Sequence, residues 1–327
     1  MTALYHYRIY GRHLACNRRL PCVESASCAK PDFVVSYRSD PSRPLADAPA
    51  AAVCDPITRE LVWEDRDRSF HLRYTDPLNG SRLEFTISAD GASVAVDWDE
   101  AVLVDDIHRV LLGPVFGWLL AQAGTVALHA NTVAVDEGAC VICGHSGAGK
   151  SSTTAAMVAA GHPLLADDIA ALDPQAGAMA VHHGYPHLRL WPDTAQALGP
   201  DWKNLPLVFQ RTANVGEKYY RDLADMPGLF RASALPLRAI YLLGPRIADR
   251  SAIRVDRLAN AQAIPLLLKN LYLGLSAQRH ARMAQSLPCI AELVERCPVF
   301  TVQMPDGLDR LIMSAEALAE HAASLHA

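Results

Sequence analysis

Along the first hundred residues, apolar and polar positions alternate in short runs. "YHYRIYG", "DFVVSYR", "LVWE", "FHLRYTD", "RLEFTIS" and "SVAVDWD" follow one another, separated by Pro, Gly, Asp and Asn. A period of two is that of a strand with one face buried, so the pattern predicts a β-rich N-terminal domain over residues 1–98. Inside it, "DPSRPLADAPAAAVCDP" (Asp40–Pro56) is rich in Pro and Ala and predicts a loop or linker. From Glu100 to about Gln122 the apolar spacing becomes helical, and this helix is expected to hand the chain to a second domain spanning residues 99–327.

The second domain mixes both periods. "TVALHANTVAV" and "ACVICG" predict strands, and "KSSTTAAMVAAG" predicts a helix that Gly161 can cap. Strand-like runs recur at "AMAVHH", "LPLRAIYLLG" and "PVFTVQM". Helices are expected over Asn260–Leu273, Ser276–Arg296 and Ser314–Leu325. Strands with helices interspersed imply an α/β layer. There is no internal repeat and no low-complexity tract.

Composition narrows the class further. The chain has 327 residues, half of them hydrophobic and a fifth charged, which is the profile of a globular protein of about two domains. A net charge of −5 excludes a general nucleic-acid binder, which needs clustered Lys and Arg. The apolar stretch Val110–Gly124 is shorter than the roughly 20 residues that cross a bilayer. The N-terminus has no apolar signal-peptide core, so a cytoplasmic location and no membrane partner are expected. The eight cysteines are expected to be reduced. Cys140 and Cys143 form a C-x-x-C without a second pair, and burial in a strand explains them.

Candidate chemistry centres on G-x-x-x-x-G-K-S, formed by Gly144, His145, Ser146, Gly147, Ala148, Gly149, Lys150 and Ser151, with Ser152 following. Glycines let a backbone fold tightly and point its N–H groups at phosphates, while the next helix presents its positive end. Lys150 can reach the β- and γ-phosphates, and the Ser151 hydroxyl can ligate Mg²⁺. ATP and Mg²⁺ are therefore the expected cofactors. Sixteen residues beyond Ser151, the apolar run "LLADD" ends in Asp167 and Asp168. Two carboxylates after a strand suit the acidic tasks of phosphoryl transfer, namely holding the metal and activating a hydroxyl. His129 lies one strand upstream, where a sheet can bring its ring to the phosphate end. His182, His183 and His187 lack zinc-ligand spacing. Arg189, Arg211, Lys218 and Arg221 are candidates for transition-state charge, with Lys218 and Arg189 preferred.

The segment "ALHANTVAVDEGACVICGHSGAGKSSTTAAMVAAGHPLLADDIAAL" resembles the core of HPr serine kinase/phosphorylase and its relatives, which share a distant kinship with phosphoenolpyruvate carboxykinase. Three features match together: a histidine about fifteen residues before the loop, G-x-S-G-x-G-K-S, and "AAGHPLLADD". The match covers roughly residues 125 to 173. The resemblance implies an α/β P-loop kinase domain of the HPr kinase/phosphoenolpyruvate carboxykinase type. It also implies Mg²⁺-dependent phosphoryl transfer to a serine hydroxyl. By that resemblance Gly144 to Ser151 hold ATP and Mg²⁺, Asp167 is the base, Asp168 assists the metal, and His129 sits near the transferred phosphate.

The family's second Gly-rich signature is absent, and "HHGYPHLRLWPDTAQALG" stands in its place. This segment and the β-rich first domain are similar to the HPr-kinase-like proteins found beside lasso-peptide biosynthesis genes. The implied partner is a precursor peptide or small protein carrying the acceptor serine. The strands of the first domain offer a place where such a peptide could dock, by addition to an open sheet edge, although the sequence shows no edge. Two alternatives remain: an HPr-type protein serine kinase, and a non-catalytic nucleotide-gated peptide-binding protein. Phosphorylation of a small metabolite is a third. The sequence leaves oligomeric state open, a homo-oligomer included.

Overall fold

The computed structural model describes residues 4–38, 45–54, 60–76, 79–174, 179–209, 218–248, 252–272 and 279–325. The alternating runs of the first hundred residues form one eight-stranded sheet. Its strands are β1 (Tyr5–Ile9), β2 (Arg12–Cys16), β3 (Phe33–Tyr37), β4 (Val53–Cys54), β5 (Leu61–Glu64), β6 (Phe70–Thr75), β7 (Arg82–Ile87) and β8 (Ser93–Trp98), in the order β1-β2-β3-β8-β7-β6-β5-β4. β2 lies just beyond the first run, which ends at Gly11, and β4 falls within the stretch expected to be a loop or linker.

The helical spacing after Glu100 becomes α1 (Val104–Val110), a π-helical turn over Leu111–Val115 and α2 (Phe116–Gln122). Pro114 lies inside the π turn. Proline lacks an N–H and crowds the carbonyl a turn earlier, so a widened turn accommodates it. This helical stretch buries Ile107, Leu111, Leu112, Phe116 and Leu119 against Tyr7, Ile9, Phe85 and Val96 of the first sheet. The same cluster contains Ala127, Ala166, Ile169, Ala171 and Tyr185, so the two halves of the chain share one continuous core.

The second sheet is mixed. It comprises β9 (Val126–Val135), β10 (Gly138–Cys143), β11 (Leu164–Ala166), β12 (Ile169–Asp173), β13 (Ala180–His182), β16 (Leu235–Leu243), β17 (Arg254–Arg257) and β18 (Val299–Gln303). Its path runs β10-β9-β12-β13-β16-β18-β17, with β11 also on β9 and a further β10–β16 pairing. β9 and β10 form an antiparallel hairpin, whereas β10, β16 and β18 are parallel neighbours. A separate hairpin pairs β14 (His187–Leu190) with β15 (Tyr219–Asp222).

Helices cover both faces, as the unbroken apolar character of "ACVIC" requires. Cys140 and Ile142 face α3 (Lys150–Ala159) and α7 (Leu311–Ser324). Ala139, Val141 and Cys143 face α5 (Asn260–Lys269) and α6 (Arg279–Arg296). α4 (Pro192–Leu198) packs beside α3. Helix α5 stops at Lys269, short of Leu273, which with Ser276 lies outside the described residues; α7 starts three residues earlier than the periodicity predicts. All eight cysteines are free, with Cys140 and Cys143 buried in the strand that feeds the loop. No helix among the described residues is long and apolar enough to cross a membrane.

Candidate active site

The loop leaves β10 at Gly144 and enters α3 at Lys150. Gly147 and Gly149 adopt φ of 82° and 98°, the left-handed region that a Cβ penalises, and this curls the backbone. The Ala148 N–H donates to the His145 carbonyl at 3.1 Å and closes the curl. Lys150 reaches back into it, its Nζ donating to the carbonyls of Gly144 at 2.7 Å and His145 at 3.3 Å. Burial holds this amine below its ordinary pKa. Among the described residues the hydrogen bonds of this ammonium go to carbonyls at the mouth of a helix, a setting that suits an anion. The His145 ring turns to the Ser146 carbonyl at 2.7 Å. The Ser152 hydroxyl pairs with Thr194 Oγ1 of α4 at 2.7 Å, so its side chain serves helix packing.

Asp167 and Asp168 stand between β11 and β12, where both strands pair with β9. Ala166 faces Thr132 and Ile169 faces His129. Asp168 has φ of 77°, a strained conformation for a residue with a Cβ, held by two bonds from β9. Its N–H donates to Asn131 Oδ1 at 3.1 Å, and its carbonyl accepts from the Ala130 N–H at 3.3 Å. The Asp168 carboxylate is gripped on both oxygens, by Arg189 Nη1 at 3.2 Å and His129 Nδ1 at 3.4 Å. Asp167 is 4% exposed, and its Oδ2 accepts the backbone N–H of Arg189 at 3.0 Å.

These surroundings push the two carboxyls apart. Burial, with the adjacent Asp168 charge, raises Asp167 to about 6, and Arg189 and Lys218 offset only part of that. Burial would raise Asp168 too, but Arg189, His129, Lys218 and Lys150 outweigh it and hold the carboxyl below its ordinary value. One carboxyl is thereby held below its ordinary value and its neighbour above it, a separation of the kind seen in acid–base sites. Burial lowers the His129 pKa, and Lys150, Arg189 and Lys218 add to that, against the pull of Asp168.

Lys218, at the entry to β15, lies over the Trp191 ring with its ammonium 4.7 Å from the centroid. Arg189 is nearly enclosed, its second amine donating to the Tyr185 hydroxyl at 2.6 Å. It anchors the aspartate pair from within. Arg211 lies outside the described residues, and Arg221 lies in β15 opposite Leu188. His182 pairs with Asp173, His183 with the Gly184 carbonyl, and His187 stacks on Tyr220. No group of three or more His, Cys, Asp or Glu residues that could hold a metal occurs among the described residues.

Several further residues stand at the site, and the sequence marks them only weakly. Asn131 sits two positions from His129 on the same strand face, a period-two signal that was available. Tyr185 lies four residues before Arg189. Tyr10, at the β1–β2 turn, is buried against Phe116, its hydroxyl close to the place a Cβ on Gly184 would take. Its N–H donates to the His183 carbonyl at 2.8 Å. Tyr272 approaches the His129 ring from the other side at 5.8 Å and fills the space beside Gly117. Long-range packing brings Tyr10 and Tyr272 here, and nothing local announces it.

No family model and no curated protein matches the chain. Among solved structures, it is similar to the Hpr(Ser) kinase/phosphatase from Coxiella burnetii, at 13% identity and a TM-score of 0.32, over 61% of this chain and 97% of that one. A likeness of that size decides nothing about the chemistry, which is read from the side chains.

Proposed function

We propose that the chain is an ATP- and Mg²⁺-dependent kinase that transfers the γ-phosphoryl group to a serine hydroxyl of a peptide. Its fold would be of the P-loop HPr kinase/phosphoenolpyruvate carboxykinase type. The observation that carries this reading is Asp167, a buried carboxyl raised to about 6, on the strand pair beside a curled loop that holds Lys150. A base with a pKa near the working pH is what activation of a serine hydroxyl needs.

The acceptor hydroxyl gives its proton to Asp167 as its oxygen bonds to the γ-phosphorus, and the bond to the β-phosphate oxygen breaks to leave ADP. One Asp167 oxygen is taken by the Arg189 N–H, which leaves the other for that proton. Lys150 and Lys218 place positive charge near the phosphates as negative charge spreads over the transferred group. Ser151 and Asp168 are the residues that would hold Mg²⁺, and the donor set fits: the Ser151 hydroxyl has no hydrogen bond among the described residues, and Asp168 is held ionised. Mg²⁺, when bound, neutralises charge on the phosphates. Arg189 and His129 fix the Asp168 carboxylate in place.

The acceptor is proposed to be a precursor peptide of the lasso type, docked on the N-terminal sheet. The test is the intact mass of such a peptide after incubation with protein, ATP and Mg²⁺, beside Asp167→Asn. A whole phosphate added by the wild type only supports the kinase. Retained ATP binding without transfer to peptide, HPr or small hydroxyl compounds would leave a nucleotide-gated binding protein instead.

A further inference from the structure

The nucleotide reading gives the bound molecule a direction. The loop stands at the carboxyl end of β10, with the Asp pair on the β9 flank. The terminal phosphate belongs on that flank, so the remainder of the nucleotide must leave across the other one. There β16 and β18 run parallel to β10, and ligands of α/β sheets lie outside the carboxyl ends of parallel strands. The segment following β16 is Gly244-Pro245-Arg246, and Asp306 follows β18. Ile247 ties the two segments together, its N–H donating to the Met304 carbonyl at 3.0 Å while its own carbonyl accepts from the Asp306 N–H at 3.2 Å.

Arg246 lies directly against the phosphate loop. Its guanidinium fills the space that a Cβ on Gly149 would need, and Nη2 donates to the Ala148 carbonyl at 3.4 Å. That long bond is its only hydrogen bond among the described residues, for a group with five donors. The contact is with a carbonyl, whereas in the nucleotide reading it is the loop's N–H groups that would meet the phosphates, so the guanidinium is left for another part of the nucleotide. One side of Arg246 is packed on the loop and the residue as a whole is exposed.

Resting on the nucleotide reading, we propose that Arg246 forms the nucleobase subsite, its guanidinium plane stacking on the aromatic base while the loop holds the phosphates. A guanidinium is planar and weakly hydrated and stacks on aromatic faces, which a lysine ammonium cannot do in the same way. The Gly149–Arg246 packing sets the plane's distance from the loop.

Calorimetric titration of the full chain with ADP and, separately, with inorganic tripolyphosphate tests this in the wild type, Arg246→Ala and Arg246→Lys. Thermal melts of each variant establish that it folds. Both substitutions are expected to weaken ADP about fivefold, the size of a partly exposed cation–π contact, and to leave tripolyphosphate within about twofold. ADP affinity unchanged in both variants would overturn the inference. So would equal losses for ADP and tripolyphosphate, which would make Arg246 a counter-charge to the phosphates. A wild type that binds neither probe would overturn the nucleotide reading itself and the subsite with it.

Discussion

Because the Asp167 carboxyl is raised to about 6 from an ordinary 3.8, it should govern the acid side of the pH–rate profile. The base acts ionised, so kcat/KM should be level above about pH 7 and fall about tenfold for each unit below about 6. At about pH 5 roughly a tenth of such a group is ionised, whereas a carboxyl with an unperturbed value near 3.9 would still be about nine-tenths ionised. The expected loss between pH 7.5 and pH 5 is therefore about tenfold, against almost none for an ordinary aspartate. Stability moves with the same group. A carboxyl raised in the folded state binds more protons than in the unfolded chain between about pH 4 and 6, so folding stability falls as pH rises through that window and levels above it. The difference between 3.8 and about 6 corresponds to about 3 kcal/mol. Asp167→Asn keeps an acceptor for the Arg189 N–H and removes the buried charge, so it should abolish transfer while raising Tm at pH 7.5 and flattening the dependence of Tm on pH. Initial rates at saturating Mg²⁺ and melts across pH 4.5–8 measure both. A rate that holds to pH 5, or an Asp167→Asn variant with a lower Tm and wild-type transfer, would refute the assignment.

Arg189→Met leaves Asp168 without its main counter-charge and Tyr185 without its partner, and should cost about 3 kcal/mol by denaturant melts, with transfer lost. Gly149→Ala forces a Cβ onto φ 98° and into the Arg246 guanidinium, and should cost about 1–2 kcal/mol and weaken nucleotide binding by titration calorimetry. Deletion of residues 1–98 strips the partners of Ile107, Leu111, Leu112 and Phe116, and should yield a chain that lacks a cooperative melt by circular dichroism. A truncated chain that melts cooperatively would show that the shared core is dispensable.

The loop, the strand before it and the helix after it were legible because glycine spacing and hydrophobic period are local properties. So was the aspartate pair, which stands at the end of a short apolar run. The π turn at Pro114 was not, since a helical spacing does not reveal a widened turn. The β14–β15 hairpin that carries Arg189 and Lys218 joins strands about thirty residues apart, and Arg221 faces Leu188 there with no alternation long enough to announce either strand. The boundary at residue 98 followed a change of period. The core ignores it, because Tyr10 and Phe33 pack on Phe116 across that point. Arg246 lies about a hundred residues from the loop it touches, and only the parallel β10–β16 pairing brings it there. Asp168's positive φ is likewise a product of two strands sharing β9 and is invisible in "ADD".

In the proposed reaction the loop holds the nucleotide phosphates while Asp167 takes the proton of the serine hydroxyl that receives the γ-phosphoryl group. Intact mass spectrometry of the acceptor peptide with protein, ATP and Mg²⁺ tests that claim most directly, with Asp167→Asn alongside. A gain of a whole phosphate on a serine with the wild type, and none with Asp167→Asn, is the predicted result. Equal phosphate gain with both proteins would contradict it.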